Sequence, residues 1–234
     1  METIYKKVII IGAGPAGLAT SKVLNDYKID HLILEKGEEI ATSWRIFYDS
    51  LTLHTGKHLS HLTGMKFKKE VDLFPPKNQF IDYMEDYKNH FKLPIQTSSE
   101  VKKIKRIEED NKWRLILDSK IFECDCLVLG VGLASFPFIP IIKGLEEFKG
   151  EVIHSIKYKN PHLYKNKNVL IVGAGNSAAE ISYELSEEGI DTTIYIKNGA
   201  NIAPLSVLGL PIQYIGYIMS IFPKKFQLAL IKAG

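Results

Sequence analysis

The sequence has few cysteines and no signal for export. Cys124 and Cys126 are its only two cysteines, one residue apart in a strand-like segment. This spacing makes a disulfide framework implausible and indicates a reducing compartment. The amino terminus passes directly into a strand and a glycine turn, without the apolar core of a signal peptide. We therefore expect a cytoplasmic protein.

The chain also lacks an excess of charge of either sign. Thirty Lys and Arg against 27 Asp and Glu leave a formal charge of +3, with basic residues scattered among acidic ones. Charge alone therefore indicates no nucleic-acid-binding face, and a small-molecule partner is expected instead. With 45% hydrophobic and 24% charged residues among 234, the chain can enclose a sizeable core, which excludes disorder, collagen and coiled coil.

Only one apolar run, Leu205 to Phe222, is long enough to be considered as a membrane span, and it is near the lower length limit for one. Gly209, Pro211, Gln213 and Gly216 interrupt it. These residues break or weaken a spanning helix, so the run is predicted to be a buried or interface helix. Membrane contact through 205–222 is the alternative.

A strand, a glycine turn, a helix, a second strand and an acid follow one another near the amino terminus. Residues 7–11 are a β-branched run without alternation, typical of a strand buried on both faces of a parallel sheet. The turn is GAGPAG at 12–17, a helix is predicted over 18–27, and the strand at 31–34 ends in Glu35. This is the order of a dinucleotide-binding βαβ unit.

Each glycine of that turn has a predicted role. Gly12 permits the tight turn, Gly14 lets a pyrophosphate approach the backbone, and Gly17 lets the helix pack closely on the strand. The helix N-terminus offers N–H groups and a partial positive charge to phosphates, and Glu35 can accept from both hydroxyls of a ribose. A glycine turn without a ligand is the alternative. The predicted cofactor contacts of this unit are Gly12, Gly14, Pro15, Ala16, Gly17, Glu35 and Lys36.

The same pattern recurs later in the chain. Residues 168–172 are predicted to be another buried strand, 173–178 a glycine turn, 178–188 a helix and 192–196 the following strand. Two such units indicate two nucleotides, or one flavin and one nicotinamide. The predicted contacts of the second unit are Gly173, Gly175, Asn176, Ser177 and Ala178.

The residue after the second strand distinguishes the two units. The first has Glu35 before Gly37, and the second has Lys197 at the matching place before Gly199. A carboxylate repels a 2′-phosphate and an ammonium attracts it, so the second site is predicted to bind NADPH rather than NADH. An ordinary exposed lysine is the alternative.

Between the two units the sequence predicts a helix and a small antiparallel sheet. The helix covers 78–90 and has one apolar face. Strands at 101–108, 113–117 and 120–123 form a three-stranded meander, followed by a buried strand at 126–129. Val101, at the start of the meander, is a further predicted cofactor contact. The predicted fold class is α/β, with two Rossmann-like dinucleotide-binding domains and a three-stranded β-meander in the first.

Residues 148–158, FKGEVIHSIKY, fit the pattern FxGxxxHxxxY/F at every fixed position, and SWR at 43–45 and YDSLTLHTGK at 48–57 are also distinctive. In these segments the chain resembles the flavin-containing monooxygenases, most closely their YUCCA-like branch. Tyr158, where Baeyer–Villiger relatives usually carry Trp, argues against that branch. The resemblance implies that Trp44 and Arg45 contact the flavin.

The resemblance implies a flavin monooxygenase that uses FAD, NADPH and O₂. NADPH would reduce FAD, O₂ would add to the reduced ring, and the C4a-peroxyflavin would insert one oxygen atom into a small organic substrate. A catalytically silent nucleotide-binding fragment is one alternative. A flavoprotein pyridine-nucleotide disulfide reductase is another, although Cys124 and Cys126 do not form the CxxC motif of those enzymes.

The resemblance also indicates a catalytic residue. His54 aligns with an Asn that many animal-type members carry, a residue thought to steady the oxygenated flavin, so His54 is the predicted catalytic residue. His58 and His61 lie close by, but the loop lacks a fitting cysteine or carboxylate pattern, and no metal site is expected.

The family plan predicts an FAD-binding domain at 1–150 and an NADPH-binding domain at 151–234. In the family the NADPH domain is inserted into the flavin domain, which returns afterwards. Because the sequence stops at Gly234, both domains are expected to be incomplete, with the C-terminal return of the flavin domain missing. The chain is then either a fragment of a longer protein or a shortened form whose flavin pocket is open on one side.

Overall fold

The computed structural model describes residues 2–134, 136–200, 204–207 and 209–224. The chain forms two compact units. The first comprises Met1–Leu51, Leu62–Phe67 and Lys77–Asn160, and the second comprises Thr52–His61, Lys68–Pro76 and Pro161–Gly234. The division thus falls after Asn160, and two short early segments cluster with the later unit. Which cofactor each unit binds stays a prediction.

The first unit is built on a six-stranded sheet with the order β3-β2-β1-β6-β5-β4. The strands β3, β2, β1 and β6 are parallel, whereas β6, β5 and β4 form an antiparallel meander. The predicted meander is therefore confirmed. The strands are β1 Glu2–Ile11, β2 His31–Leu34, β3 Ile95–Gln96, β4 Lys103–Ile107, β5 Lys112–Ile116 and β6 Lys120–Leu129.

The strand β6 differs from the prediction because it is one strand of ten residues rather than two short ones. It pairs with β1 from Glu2↔Lys120 to Ile11↔Leu129, so the length of β1 sets the length of β6. The predicted strand at 126–129 is confirmed as the end of β6, but its predicted burial is wrong, because Cys126 and Leu129 are exposed.

The core of this sheet joins its parallel and antiparallel halves. It contains Ile9, Leu34, Leu115, Phe122 and Cys124, and each is at most 1% exposed. Ile9 lies on the central strand β1, as its β-branched run predicts. The core therefore fixes the carboxyl end of β1, where the first glycine turn begins.

Three α-helices in the described part of the first unit accompany its sheet. They are α1 Pro15–Asp26, α2 Thr42–Arg45 and α4 Lys77–His90. The predicted helix at 78–90 is confirmed, and Phe80, Met84 and Tyr87 on its apolar face are buried. Tyr83 is also buried and donates its hydroxyl to the carbonyl of Met65 at 2.7 Å.

The second unit contains a shorter copy of the βαβ pattern. Its elements are α3 Lys57–Ser60, β7 Val169–Val172, α5 Asn176–Glu187, β8 Thr192–Tyr195, β9 Ser206–Val207, β10 Leu210–Pro211 and α6 Ile212–Ser220. The strands β7 and β8 pair in parallel. The predicted strand at 168–172 is confirmed by β7, but its predicted burial is wrong, since Leu170 and Val172 are 63% and 56% exposed. In the described residues this sheet has only two strands, and α5 packs on them.

The apolar run at 205–222 does not form one buried helix, so that prediction is corrected. It begins with the hairpin β9–β10, whose turn contains Gly209 at φ +78. The helix α6 that follows has nine residues. Leu205, Leu210 and Tyr217 are exposed. In the described residues, no helix is long and apolar enough to cross a membrane.

Candidate cofactor-binding sites

The three glycines of the first turn have different environments. Gly12 has φ +102, and a Cβ atom there would lie 2.5 Å from the carbonyl oxygen of Gly130. A Cβ atom on Gly17 would lie 1.9 Å from the carbonyl oxygen of Gly12, so only glycine lets α1 approach β1 this closely. At Gly14, nothing lies within 4 Å of the Cβ position. The turn is therefore closed on the sheet side and open at its middle glycine.

The open glycine adjoins the N-terminus of α1. Gly14 caps this helix without a side-chain hydrogen bond, and Pro15 is its first residue. No acceptor side chain of the described residues thus closes the helix N-terminus, and its partial positive charge faces the open space. We call the turn at 12–17 together with the N-terminus of α1 the first cradle. It fits a pyrophosphate, whose oxygens would take the place of a capping acceptor.

Glu35 fixes the far side of this cradle. Its side chain is buried, and the carboxylate accepts hydrogen bonds from the N–H groups of Ala13 at 2.7 Å and Gly37 at 3.0 Å and from the Thr42 hydroxyl at 3.0 Å. A carboxylate accepts about four hydrogen bonds. Glu35 therefore orders the turn and α2, and it retains capacity for one donor such as a ribose hydroxyl.

A cavity of about 520 Å³ lies beside this carboxylate in the first unit. Three lysines and two hydroxyl side chains in its wall make it positively charged and suited to an anionic ligand. Lys157 and Lys159 were missed by the sequence analysis, although both lie at the end of the FxGxxxHxxxY pattern, Lys157 within it and Lys159 directly after it. The lining residues are Lys36, Thr42, Ser43, Ile46, Ala134, Pro137, Ile156, Lys157 and Lys159.

Three other predicted flavin contacts already have partners within the protein. The Trp44 ring packs edge-on against Phe80 at 4.6 Å. The Arg45 guanidinium donates to the Ile40 carbonyl at 3.0 Å and pairs with Glu85 at 2.9 Å. Val101 packs against the core of the sheet. These residues shape the loops around the first cradle, and their contact with a flavin stays a prediction.

The second glycine turn repeats the local geometry of the first. Gly173 has φ +128, and its N–H donates to the Tyr195 carbonyl at 2.9 Å, as the N–H of Gly12 does to the Leu34 carbonyl at 2.8 Å. Gly175 caps α5 without a side-chain hydrogen bond, and nothing lies within 4 Å of its Cβ position. Asn176, Ser177 and Ala178 form the first turn of α5. We call the glycine turn at 173–178 together with the N-terminus of α5 the second cradle.

The residues that follow β2 and β8 correspond differently from the sequence prediction. Leu34 pairs with Ile11, and Tyr195 pairs with Val172. Because these pairs directly precede Gly12 and Gly173, Glu35 corresponds to Ile196, and Lys36 corresponds to Lys197. The prediction that Lys197 occupies the place of Glu35 is therefore wrong by one residue.

The error came from aligning Gly37 with Gly199. Gly199 has φ +80, whereas Gly37 is not among the positive-φ glycines, so the two loops turn differently. The two cradles still differ in charge. Ile196 places no carboxylate at the second cradle, and Lys197 is an exposed cation one residue beyond.

The predicted catalytic residue, His54, lies in the second unit. Its imidazole Nε2 hydrogen-bonds to the carboxylate of Glu180 on α5. Among the described residues, no group of three or more His, Cys, Asp or Glu side chains could hold a metal ion. Contact between His54 and a flavin stays a prediction.

The two cysteines differ in environment. Cys124 is fully buried in the core, and this burial raises the pKa of its thiol to about 11. Cys126 is exposed, and both thiols are free. A buried thiol with a raised pKa is a poor nucleophile.

Comparison with protein families gives one matching model. The family described as pyridine nucleotide-disulphide oxidoreductase matches residues 9–205. This range begins near the carboxyl end of β1 and includes both glycine turns and the helix and strand that follow each of them.

Curated relatives confirm the resemblance to flavin-containing monooxygenases. A probable indole-3-pyruvate monooxygenase, YUCCA10 of Arabidopsis thaliana, is 37% identical over 224 residues, which cover 93% of this chain and 58% of the relative. Indole-3-pyruvate monooxygenase YUCCA1 of Oryza sativa subsp. japonica is 31% identical over 211 residues, covering 89% and 52%. The chain thus spans little more than half the length of these relatives.

Solved structures confirm the predicted α/β fold class. A flavin-containing monooxygenase from Stenotrophomonas maltophilia has a TM-score of 0.82 at 23% identity, with 89% of this chain and 62% of that chain covered. A bacillithiol disulfide reductase from Staphylococcus aureus has a TM-score of 0.75 at 23% identity, covering 94% and 64%. One fold thus serves both oxygenation and disulfide reduction, so function has to be argued from the sites.

Proposed function

The chain belongs to the pyridine nucleotide-disulphide oxidoreductase family, and on that premise we propose that it serves an FAD- and NADPH-dependent monooxygenation of a small organic substrate by O₂. The observation that carries the proposal is the pair of equivalent glycine cradles, each open at its middle glycine. Only the first is closed by a buried carboxylate. Two cradles with different closures suit two different dinucleotides.

The first cradle suits FAD. The open space at Gly14 and the uncapped N-terminus of α1 would receive the pyrophosphate, and the remaining acceptor capacity of Glu35 would receive a ribose hydroxyl. Lys36, Lys157 and Lys159 line the adjoining cavity and would balance the phosphate charge. FAD bound there would supply the chemistry of hydride acceptance and oxygen activation.

The second cradle suits NADPH. Gly175 and the N-terminus of α5 would receive its pyrophosphate. Because Ile196 takes the position of Glu35, no carboxylate at that position would repel a 2′-phosphate. Lys197 beside it would attract one.

The relatives suggest a substrate class. Two of the YUCCA proteins similar to this chain are named as indole-3-pyruvate monooxygenases, one of them as a probable one. We extend this to the present chain as a small aromatic 2-oxo acid.

Disulfide reduction is the alternative that the family name raises. That reaction needs a thiolate able to attack a disulfide and a second thiol able to resolve the product. Cys124 is buried in the core with a raised pKa. The exposed Cys126 therefore has no competent second thiol in Cys124, which favours oxygenation over thiol exchange.

The proposal is tested by measuring whether an oxygen atom of O₂ is incorporated into the product. The purified protein is loaded with FAD and given NADPH and indole-3-pyruvate under ¹⁸O₂. We expect NADPH oxidation that depends on O₂, with one ¹⁸O atom per product molecule by mass spectrometry. NADPH oxidation of equal rate without O₂ and with a disulfide acceptor would overturn the proposal in favour of a reductase. Absence of retained flavin and of NADPH oxidation would overturn it in favour of a silent nucleotide-binding chain.

A further inference from the structure

The His54 side chain is held by an acidic residue of the second nucleotide-binding helix. Its Nε2 atom hydrogen-bonds to Oε1 of Glu180, and the two side chains are 28% and 24% exposed. Glu180 is the fifth residue of α5, Asn176–Glu187. The imidazole therefore lies against the helix whose N-terminus forms the second cradle.

The backbone of the same segment is held from another side. The Gln213 side-chain amide on α6 donates to the His54 carbonyl at 2.6 Å. Two residues further on, a Cβ atom on Gly56 would lie 3.0 Å from Cγ of Pro211 and 3.2 Å from the Tyr214 hydroxyl. The imidazole of His54 is thus held by α5, and its backbone carbonyl is held by α6, both within the second unit.

The carboxylate determines where the proton of a neutral imidazole lies. An ionised carboxylate only accepts hydrogen bonds, so the nitrogen that faces it must carry the hydrogen. Nε2 faces Glu180, which leaves Nδ1 as the acceptor. No partner for Nδ1 is found among the described residues.

A side-chain oxygen of Gln213, whose amide contacts the His54 backbone, also lacks a hydrogen-bond donor within the described ranges. Oε1 of Gln213 is a buried acceptor without a hydrogen-bond partner in the described part of the chain, and the buried Tyr214 hydroxyl also lacks one. Buried acceptors of this kind are normally satisfied by a donor from protein, water or ligand. Oε1 of Gln213 therefore requires a group with N–H or O–H donors, and Nδ1 of the partly exposed His54 ring is available to accept from the same group.

We propose that Glu180 is a positioning residue that holds His54 in its Nε2–H tautomer, so that Nδ1 accepts a hydrogen bond from a hydroxyl or amide group of NADPH bound at the second cradle. The ligand part of this inference rests on the proposed function. The tautomer part rests only on the contacts of Glu180 and His54. On this proposal, the hydrogen bond between His54 and Glu180 contributes to nucleotide binding and does not only attach the loop of His54 to α5.

The tautomer is measured on the full chain labelled with ¹⁵N-histidine, without any cofactor. Long-range ¹H–¹⁵N spectra distinguish a protonated from an unprotonated ring nitrogen, and the His54 signals are identified by their loss in His54→Asn. We expect a protonated Nε2, an unprotonated Nδ1 and a hydrogen-bonded Nε2 proton that exchanges slowly with water. Protonation at Nδ1, whether in a neutral or in a doubly protonated ring, would overturn the proposal.

Variants separate positioning from packing. Glu180→Ala is expected to cause averaging of the two ring nitrogens and loss of the slow proton, whereas Glu180→Gln, whose amide can accept through its oxygen or donate through its NH₂ group, should weaken both signatures without abolishing them. Glu187→Ala, an exposed glutamate on the same helix, is the matched control and should leave them unchanged. Unchanged His54 signals in Glu180→Ala would contradict the positioning role.

NADPH is then added to the wild-type chain. A shift of the His54 Nδ1 signal that saturates with binding is the expected result, and Glu180→Ala should weaken NADPH binding severalfold more than Glu180→Gln does. NADPH binding that leaves Nδ1 unmoved would overturn the ligand part. If NADPH does not bind at all, the proposed function fails, while the measured tautomer still decides the role of Glu180.

Discussion

Glu35 has two roles at the scale of the residue. Its place after a strand predicts contact with a ribose, and this could be read from the sequence because strand, turn and acid occur in a fixed order. The structure adds hydrogen bonds from Ala13, Gly37 and Thr42. These partners could not be predicted, since they depend on how α2 folds back over the turn.

Replacement of this acid should affect folding as well as binding. In Glu35→Gln, one oxygen becomes an NH₂ group that faces an N–H donor or the Thr42 hydroxyl. We expect the free energy of unfolding in urea to fall by about 1–3 kcal/mol, because a donor is left unsatisfied. The exposed neighbour Glu38 supplies the control: Glu38→Gln should unfold like wild type. Equal stability of the two variants would show that the carboxylate does not order the cradle.

Lys197 should determine the choice between nicotinamide nucleotides. Its ammonium is exposed one residue beyond the position of Glu35, so its interaction with a 2′-phosphate is screened by water. We expect Lys197→Ala to weaken NADPH binding roughly two- to fivefold in calorimetric titrations. NADH, which has no 2′-phosphate, serves as the control ligand, and its affinity should not change. A parallel loss for both ligands would argue against recognition of the 2′-phosphate.

The cysteines give a direct test of the reductase alternative. Below its raised pKa of about 11 the buried Cys124 thiol stays protonated, so it should be unreactive at neutral pH. Cys126 is exposed. We expect Ellman's reagent to modify one thiol per native chain and two per denatured chain. Rapid modification of both thiols in the native protein would revive disulfide exchange as a function.

At the scale of the element, patterns with local causes were predicted well. The β-branched run at 7–11 identified the carboxyl-terminal half of β1, which begins five residues earlier at Glu2, and the glycine turn located α1, which begins at Pro15, three residues before the predicted start. The length of β6 was not predictable, because it follows from pairing with β1 rather than from its own residues. The exposure of β7 depends on which strands flank it, and that information is not local either.

The close contact between α1 and β1 depends on one glycine. In Gly17→Ala the new Cβ atom would meet the backbone oxygen of Gly12 at 1.9 Å, so the helix has to move. We expect a loss of about 2 kcal/mol or more in urea unfolding. Gly14→Ala is the matched control, since its φ of −86 suits alanine and its Cβ would lie in open space. Because Gly14 is the N-cap of α1, where alanine is less favourable than glycine, this variant should lose at most about 1 kcal/mol, less than Gly17→Ala. Tolerance of Gly17→Ala would mean that α1 is not packed as closely as described.

At the scale of the whole molecule, the two βαβ units were recognisable because each is a continuous stretch of sequence. The clustering of Thr52–His61 with residues far along the chain was not predictable, because it depends on long-range contacts such as those of His54 with Glu180 and Gln213. The same limit explains the error at Lys197. Strand register, rather than glycine spacing, determined which residues of the two units correspond.

The central claim is that the first cradle binds FAD and the second binds NADPH. Alanine at either open glycine, Gly14 or Gly175, adds one methyl group where a pyrophosphate would lie, and both backbones permit it. The most direct measurement is therefore a crossed titration of FAD and NADPH against Gly14→Ala and Gly175→Ala, followed by fluorescence. We predict that Gly14→Ala weakens only FAD binding and that Gly175→Ala weakens only NADPH binding, each at least tenfold, or about 1.4 kcal/mol. Loss of both ligands in one variant, or of neither in both, would contradict the account.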